Sequence, residues 1–141
     1  MYKKIISNSA SKKIEFAKGF YIVPTPIGNR YDITIRAIMV LQNTDTLVCE
    51  DTRVTKNLCH LLNIDTKKKT WISYNDHSSD IKKSLILKEL QFNKIVSLVS
   101  DAGTPLISDP GFKLVKYIID AGYKIYSIPG PCAAVASLVM S

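Results

Sequence analysis

The sequence predicts an α/β domain: a five-stranded, mostly parallel sheet flanked by helices. Three observations carry this. Short apolar runs and amphipathic stretches alternate five times along the chain, the pattern of strand–helix crossovers. The length, 141 residues with 46% hydrophobic and 22% charged, suits one soluble domain with its own core. Turn-forming residues are also distributed unequally. The segments that follow the strands (24–29, 50–53, 74–78, 100–111 and 129–132) hold all six prolines, whereas connections such as Asn43-Thr44-Asp45 and Ala121-Gly122-Tyr123 are ordinary. In open α/β sheets, ligands bind outside the carboxyl ends of the strands, so this edge is the expected binding edge.

The elements follow in order. Met1 to Gly19 has no sustained period and reads as a flexible basic leader; the domain proper is 20–141. Phe20–Val23 is the first strand. Asp32 or Thr34 caps a helix running to about Gln42, with Ile35, Ile38, Met39 and Leu41 inward. Thr46–Cys49 is the second strand. Thr52 is the expected N-cap of the next helix, whose Val54, Leu58, Leu61 and Leu62 form one apolar stripe directed at the core. Thr70–Ser73 is the third strand. Ser78 or Ser79 caps a helix marked by Ile81, Leu85, Leu87 and Leu90. Ile95–Val99 is a buried strand, followed by a helix from Phe112 to Ala121 with Leu114, Val115, Ile118 and Ile119 inward and Gly122 as its stop. Lys124–Ile128 is the fifth strand, and Cys132 opens a fifth helix reaching Leu138.

Composition excludes several classes. No apolar run approaches the roughly 18 residues of a membrane span, and the lysine-bearing N-terminus has no apolar signal core. Cys49, Cys59 and Cys132 are odd in number and lack metal or disulfide spacing, so no metal site is expected and a reducing cytoplasm is the simplest compartment. GxxxxGK[ST], GxGxxG and a serine nucleophile elbow are all absent. The net charge is +7, of which the leader carries +4. Such an arm adds phosphate contacts to an RNA-binding protein or is simply a solvated tail.

The stretch from Val99 to Gly111 dominates the binding edge. Gly103 and Gly111 permit positive φ, Pro105 and Pro110 fix φ, and Asp101, Thr104, Ser108 and Asp109 bring oxygens to an exposed backbone. It is either a receptor for a small polar ligand or a long connection held by Asx turns. Glu50, Asp51 and Arg53 are a functional cluster or a charge network at a helix start. His77 is a loop residue in reach of the same edge or a turn former, and His60 sits beside an apolar stripe as a boundary residue. Lys67, Lys68 and Lys69 form a solvated face or a phosphate contact.

Taken together, Val23-Pro24-Thr25-Pro26-Ile27-Gly28-Asn29, Asp32 to Ala37, Cys49-Glu50-Asp51-Thr52-Arg53, Val99 to Gly111 and Ile128-Pro129-Gly130-Pro131 resemble the tetrapyrrole methylase superfamily over residues 20–141. Within it the match is close to the branch that methylates the ribose 2′-hydroxyl of a cytidine in the decoding region of small-subunit (16S) rRNA with S-adenosylmethionine. The resemblance implies a cofactor site at Pro24, Thr25, Pro26, Ile27 and Gly28, at Asp101, Ala102, Gly103, Thr104 and Pro105, and at Pro131, Cys132 and Ala133. Pro24 and Pro26 stand where the wider superfamily has glycines, Thr104 where it has an acid, and Asn75 where a loop often has histidine. A sulfonium methyl is transferred by in-line displacement, which needs a placed acceptor and a route for the hydroxyl proton. Glu50, Asp51, His77 and Asp101 are the available groups, with no choice among them. Arg53 and Lys67–Lys69 are the candidates to meet RNA phosphates.

The resemblance also implies a partner, the small ribosomal subunit, and apolar surface left exposed favours a homodimer. The family has a second, C-terminal α/β domain, so 20–141 is expected to be the N-terminal domain with half a cofactor site and apolar surface exposed. Two other readings stay open. One is a tetrapyrrole or other small-molecule methylase, which the proline-bearing first loop and the basic charge disfavour. The other is a non-catalytic RNA-binding fragment.

Overall fold

A computed structural model of the protein describes residues 14–75, 77–78, 80–107 and 111–141. The leader lysines at 3, 4, 12 and 13, the cap candidate Ser79, and Asp76, Ser108, Asp109 and Pro110 lie outside the described residues. The elements are β1 (Gly19–Val23), α1 (Ile35–Asn43), β2 (Thr46–Cys49), α2 (Thr52–Leu61), β3 (Thr70–Ser73), α3 (Asp80–Gln91), β4 (Ile95–Val99), α4 (Phe112–Asp120), β5 (Ile125–Ser127) and α5 (Ala133–Leu138). All strand pairs are parallel, in the order β3-β2-β4-β1-β5. Among the described residues no helix is long and apolar enough to cross a membrane.

Side chains alternate across the sheet and feed two cores. Tyr21, Val23, Leu47, Cys49, Ile95 and Val99 meet α1 and α2 on one face. Phe20, Ile22, Val48, Val96 and Leu98 meet α3 and α4 on the other. Strands β1, β2 and β4 are therefore buried throughout, as parallel strands covered on both faces must be. Ser97 and Thr46 are the polar exceptions: Ser97 Oγ lies 2.6 Å from Thr44 Oγ1, which itself donates to the Val40 carbonyl, and Thr46 Oγ1 donates to the Glu89 carboxylate.

The helix faces depart from the expected stripes. In α1, Ala37 and Val40 join Ile38 and Leu41 in the core, while Ile35 is exposed and Met39 half-buried. In α2 the sheet receives Thr55 and Cys59, followed by Leu62; Val54 and Leu61 stay 42% and 43% exposed. Short side chains let the helix lie close to the sheet, and this rotates the larger apolar residues outward. In α3 the buried residues are Ile86 and Leu90, with Ile81 and Leu85 in solvent. In α4, Ile119 is exposed while Leu114, Val115 and Ile118 are buried. The cap of α2 is Asp51, not Thr52, because the carboxylate accepts the Arg53 N–H at 2.8 Å. Of the expected leader, Phe16 packs on the core edge-to-face with Tyr21, and Gly19 already opens β1.

Neighbouring strands β1 and β4 send their chains over opposite faces, β1 through α1 toward β2 and β4 through α4 toward β5. The crevice at their carboxyl ends is the topological switch point of the sheet.

Candidate functional site

Three loops are fastened together at that crevice. Thr25, buried after β1, forms an isolated antiparallel bridge with Gly103: its N–H donates to the Gly103 carbonyl at 2.9 Å, and the Gly103 N–H returns at 3.0 Å. The Thr25 hydroxyl donates to the Ser100 carbonyl at 2.9 Å, and the Ser100 hydroxyl donates to the Gly103 carbonyl at 2.8 Å. Gly103 has φ +82, which a side chain would adopt only with strain. The third loop follows β5. Thr104 Oγ1 donates to the Pro131 carbonyl at 2.6 Å. Gly130 lies so close to Pro24 that a Cβ there would stand 2.6 Å from the proline Cβ. The frame is thus main chain, hydroxyls, glycine and fixed-φ proline.

Two cavities open beside this frame. The larger, about 540 Å³, is bounded by Ile27, Tyr31, Thr34, Pro131, Cys132 and Ala136 among others. The smaller, about 170 Å³, lies against α2 and is bounded by Pro26, Gly28, Arg30, Asn57, Leu61 and Asp101 among others. One strip of chain separates them. Pro26, Gly28 and Arg30 face the smaller cavity, while Ile27 and Tyr31 face the larger.

The expected cofactor residues therefore surround the frame but divide between the two cavities, Pro26, Gly28 and Asp101 lining the smaller one. Pro24, Thr25, Gly103 and Pro105 are buried in the frame, Thr104 braces it, and Ile27, Pro131 and Cys132 line the larger cavity. Asp101 and Ala102 are exposed at the rim, and Ala133 is exposed at the start of α5.

The charged candidates separate. Asp51 is held in a fork by Arg53, whose Nη2 and Nε donate at 2.7 and 3.1 Å. Those side-chain bonds and the backbone cap bond hold its carboxyl down at about 2, so it is an ionised cap and a poor proton acceptor. Arg53 remains 89% exposed at the carboxyl edge. Glu50 is exposed at the same edge; its carbonyl accepts from Ser73 Oγ. His77 is exposed beyond β3, two strand positions or about 10 Å from β4. Its N–H donates to Asn75 Oδ1 at 3.1 Å.

Lys67, Lys68 and Lys69 precede β3 and sit at the opposite edge of the sheet, away from Arg53. Lys69 Nζ donates to the carbonyls of Gln42 and Thr44 at 3.0 and 2.6 Å, closing the end of α1, and burial pushes its pKa down. Missed by the sequence reading were Arg30, Tyr31, Val54, Asn57 and Leu61 as cavity-lining residues. The available signal was an apolar stripe on α2 beside a charged helix start, but periodicity assigned it to the core.

Comparison with known proteins bears on the same residues. The chain is 46% identical to the ribosomal RNA small subunit methyltransferase I of Rickettsia prowazekii over 123 residues, covering 87% of this chain and 43% of that protein. It is 45% identical to the protein of that name from Bacillus subtilis, covering 86% and 40%. Against the protein of that name from Escherichia coli O157:H7 it is 47% identical, covering 84% and 40%. The chain thus spans about 40% of the length of these curated relatives. Its fold is similar to that of a cobalamin biosynthetic enzyme, cobalt precorrin-4 methyltransferase (TM-score 0.68, 18% identity, 86% of this chain and 49% of that one). It is also similar to Thermus thermophilus uroporphyrin-III C-methyltransferase complexed with S-adenosylhomocysteine (TM-score 0.61, 18% identity, 84% and 51%). The model of one family, the tetrapyrrole (corrin/porphyrin) methylases, matches residues 19–140, and with a match of that extent the chain belongs to this family.

Proposed function

We propose that this chain forms part of an S-adenosylmethionine-dependent methyltransferase acting on the ribose 2′-hydroxyl of a cytidine in small-subunit rRNA. The observation that carries the reading is 45–47% identity to proteins named ribosomal RNA small subunit methyltransferase I, over 84–87% of the chain. The geometry is compatible. A cavity of about 540 Å³ falls in the range of small-molecule sites, and its apolar wall with main-chain groups on one side suits a nucleoside with a polar tail. The main chain of Gly103–Pro105 and of Pro131–Ala133 would hold the cofactor, which when bound supplies an electrophilic methyl group. The positive φ of Gly103 and the closeness of Gly130 to Pro24 keep that backbone bare.

The chain's own residues would bind and orient the acceptor. Asp101 lines the smaller cavity, Asp32 lines the larger, and Glu50 is exposed at the same edge; each carboxylate can accept a hydrogen bond from a hydroxyl. Arg53 is free to meet a phosphate through its outer face. The same reading includes the small ribosomal subunit as partner, a cytoplasmic setting and a homodimer. Helix α5, none of whose residues is buried, supplies apolar surface for contact with a second copy.

The test is transfer of tritium from methyl-labelled S-adenosylmethionine to small ribosomal subunits, with the label mapped to a ribose by resistance of the linkage to alkali. Label in a 2′-O-methylcytidine is the expected result. Label in a tetrapyrrole and none in RNA would replace this reading with the small-molecule one.

A further inference from the structure

We propose that the smaller cavity, between α2 and the strip 26–30, receives the base of one unstacked nucleotide of an RNA strand. This deepens the reading above and rests on it for the identity of the acceptor. Size is the first argument. At about 170 Å³ the cavity is below the roughly 300–1,000 Å³ of sites that enclose a whole small ligand, so it suits a single ring system belonging to something larger.

The lining is the second argument. Val54, Leu58 and Leu61 make one apolar wall, and the first and last of these remain largely exposed on a helix that had short residues to bury instead. A base offers a flat face that loses little by leaving water against such a wall. Its edge needs a donor and an acceptor, and Asn57, between these residues on the same helix, carries both in one amide. The Asp101 carboxylate, in the same cavity, accepts from an exocyclic amine or a ribose hydroxyl. Single-stranded RNA is recognised in this way, base by base, with the bases splayed out of the stack.

Charge and position complete the case. Arg30 lines the cavity and Arg53 stands exposed at the first turn of α2, so guanidinium groups flank the apolar wall as the phosphates on either side of a splayed base require. The strip that walls the cavity has the larger cavity on its other side. A base held here is separated from the larger cavity by that strip alone.

The experiment uses the 141-residue chain and a short single-stranded RNA carrying one 5-iodocytidine. Ultraviolet crosslinking is mapped by mass spectrometry, and RNA affinity is measured for the chain and for Asn57→Ala and Leu61→Glu, both at exposed positions. S-adenosylhomocysteine titration is run on the same samples. The expected result is a crosslink within residues 54–61, affinity about tenfold weaker in Asn57→Ala and weaker still in Leu61→Glu, and cofactor titration unchanged by either variant. A crosslink elsewhere, unaltered affinity in both variants, no RNA binding by folded chain, or a change of oligomeric state in place of RNA affinity overturns the proposal. Cofactor binding with a negative RNA result removes this cavity's role alone. A positive RNA result with methyl transfer by the full-length protein to a tetrapyrrole and none to RNA leaves the cavity and removes the enzymatic reading.

Discussion

At the amino ends of the strands, charged side chains are consumed in closing the sheet. The Asp45 carboxylate accepts the Ile95 N–H at 2.8 Å, Lys69 donates to the last carbonyls of α1, and Glu89 accepts from both Lys94 and Thr46. At the carboxyl ends the same task falls to main chain, hydroxyls, glycine and proline, and Glu50 and Asp101 form no ion pair with any described residue. One end of the sheet uses charge for stability. The frame at the other is held by groups that carry no charge; the Asp51–Arg53 fork that caps α2 is the charged exception there, and Glu50 and Asp101 stay available for a ligand.

That contrast can be broken deliberately. The largest effect is expected from Gly130→Ala, because the new Cβ would meet the Pro24 ring, which cannot rotate away. It should cost about 3 kcal/mol in urea denaturation and abolish S-adenosylhomocysteine binding by calorimetry, since the frame itself is displaced. Lys69→Met should act at the other end only. Leaving two carbonyls without their donor lowers stability by about 1–2 kcal/mol, with ligand affinity per folded molecule unchanged.

Asp51→Asn sharpens the comparison through pH. The folded carboxyl of Asp51 titrates at about 2, against an ordinary 3.8. Below 3.8 the unfolded chain therefore takes up the proton first, and stability present at neutral pH is lost as pH falls toward about 2. Glu89 contributes in the same direction: burial raises its pKa, but the bonds from Lys94 and Thr46 outweigh this and leave it lowered. Denaturation curves from pH 4 downward should show a shallower fall in Asp51→Asn than in wild type. The smallest effect concerns thiols. Burial raises Cys49 and pushes Cys59 to about 11, whereas Cys132 is half-buried on the larger cavity. A thiol reagent should label Cys132 first, and S-adenosylhomocysteine should protect it.

Strands were legible because those buried on both faces read as apolar runs between turns; Thr46–Cys49 and Ile95–Val99 fall where the runs predict, as does the less buried edge strand Thr70–Ser73. The helix faces were less so. An apolar stripe has the same period whether it meets the sheet or a ligand, and in α2 the sheet took Thr55 and Cys59 instead. The loop-rich carboxyl edge was legible from its prolines, but the bridge from Thr25 to Gly103 was not, since nothing local pairs two residues so far apart in the chain. The Asp51–Arg53 fork was visible as a charge cluster, and only its geometry separates a cap from a proton acceptor.

The strand order sets a timetable. Consecutive strands β2 and β3 are neighbours and can pair as soon as both exist, but β1 has only β4 and β5 beside it. Gly19 must wait for Ile95, an interval of about 4–15 s at synthesis rates of roughly 5–20 residues per second. Through that interval the apolar β1 has no sheet partner from its own chain. Its closure with β4 is also the event that brings Thr25 to Gly103, so the centre of the sheet and the first two loops of the carboxyl-edge frame come together in one late step, and the loop after β5 joins them last.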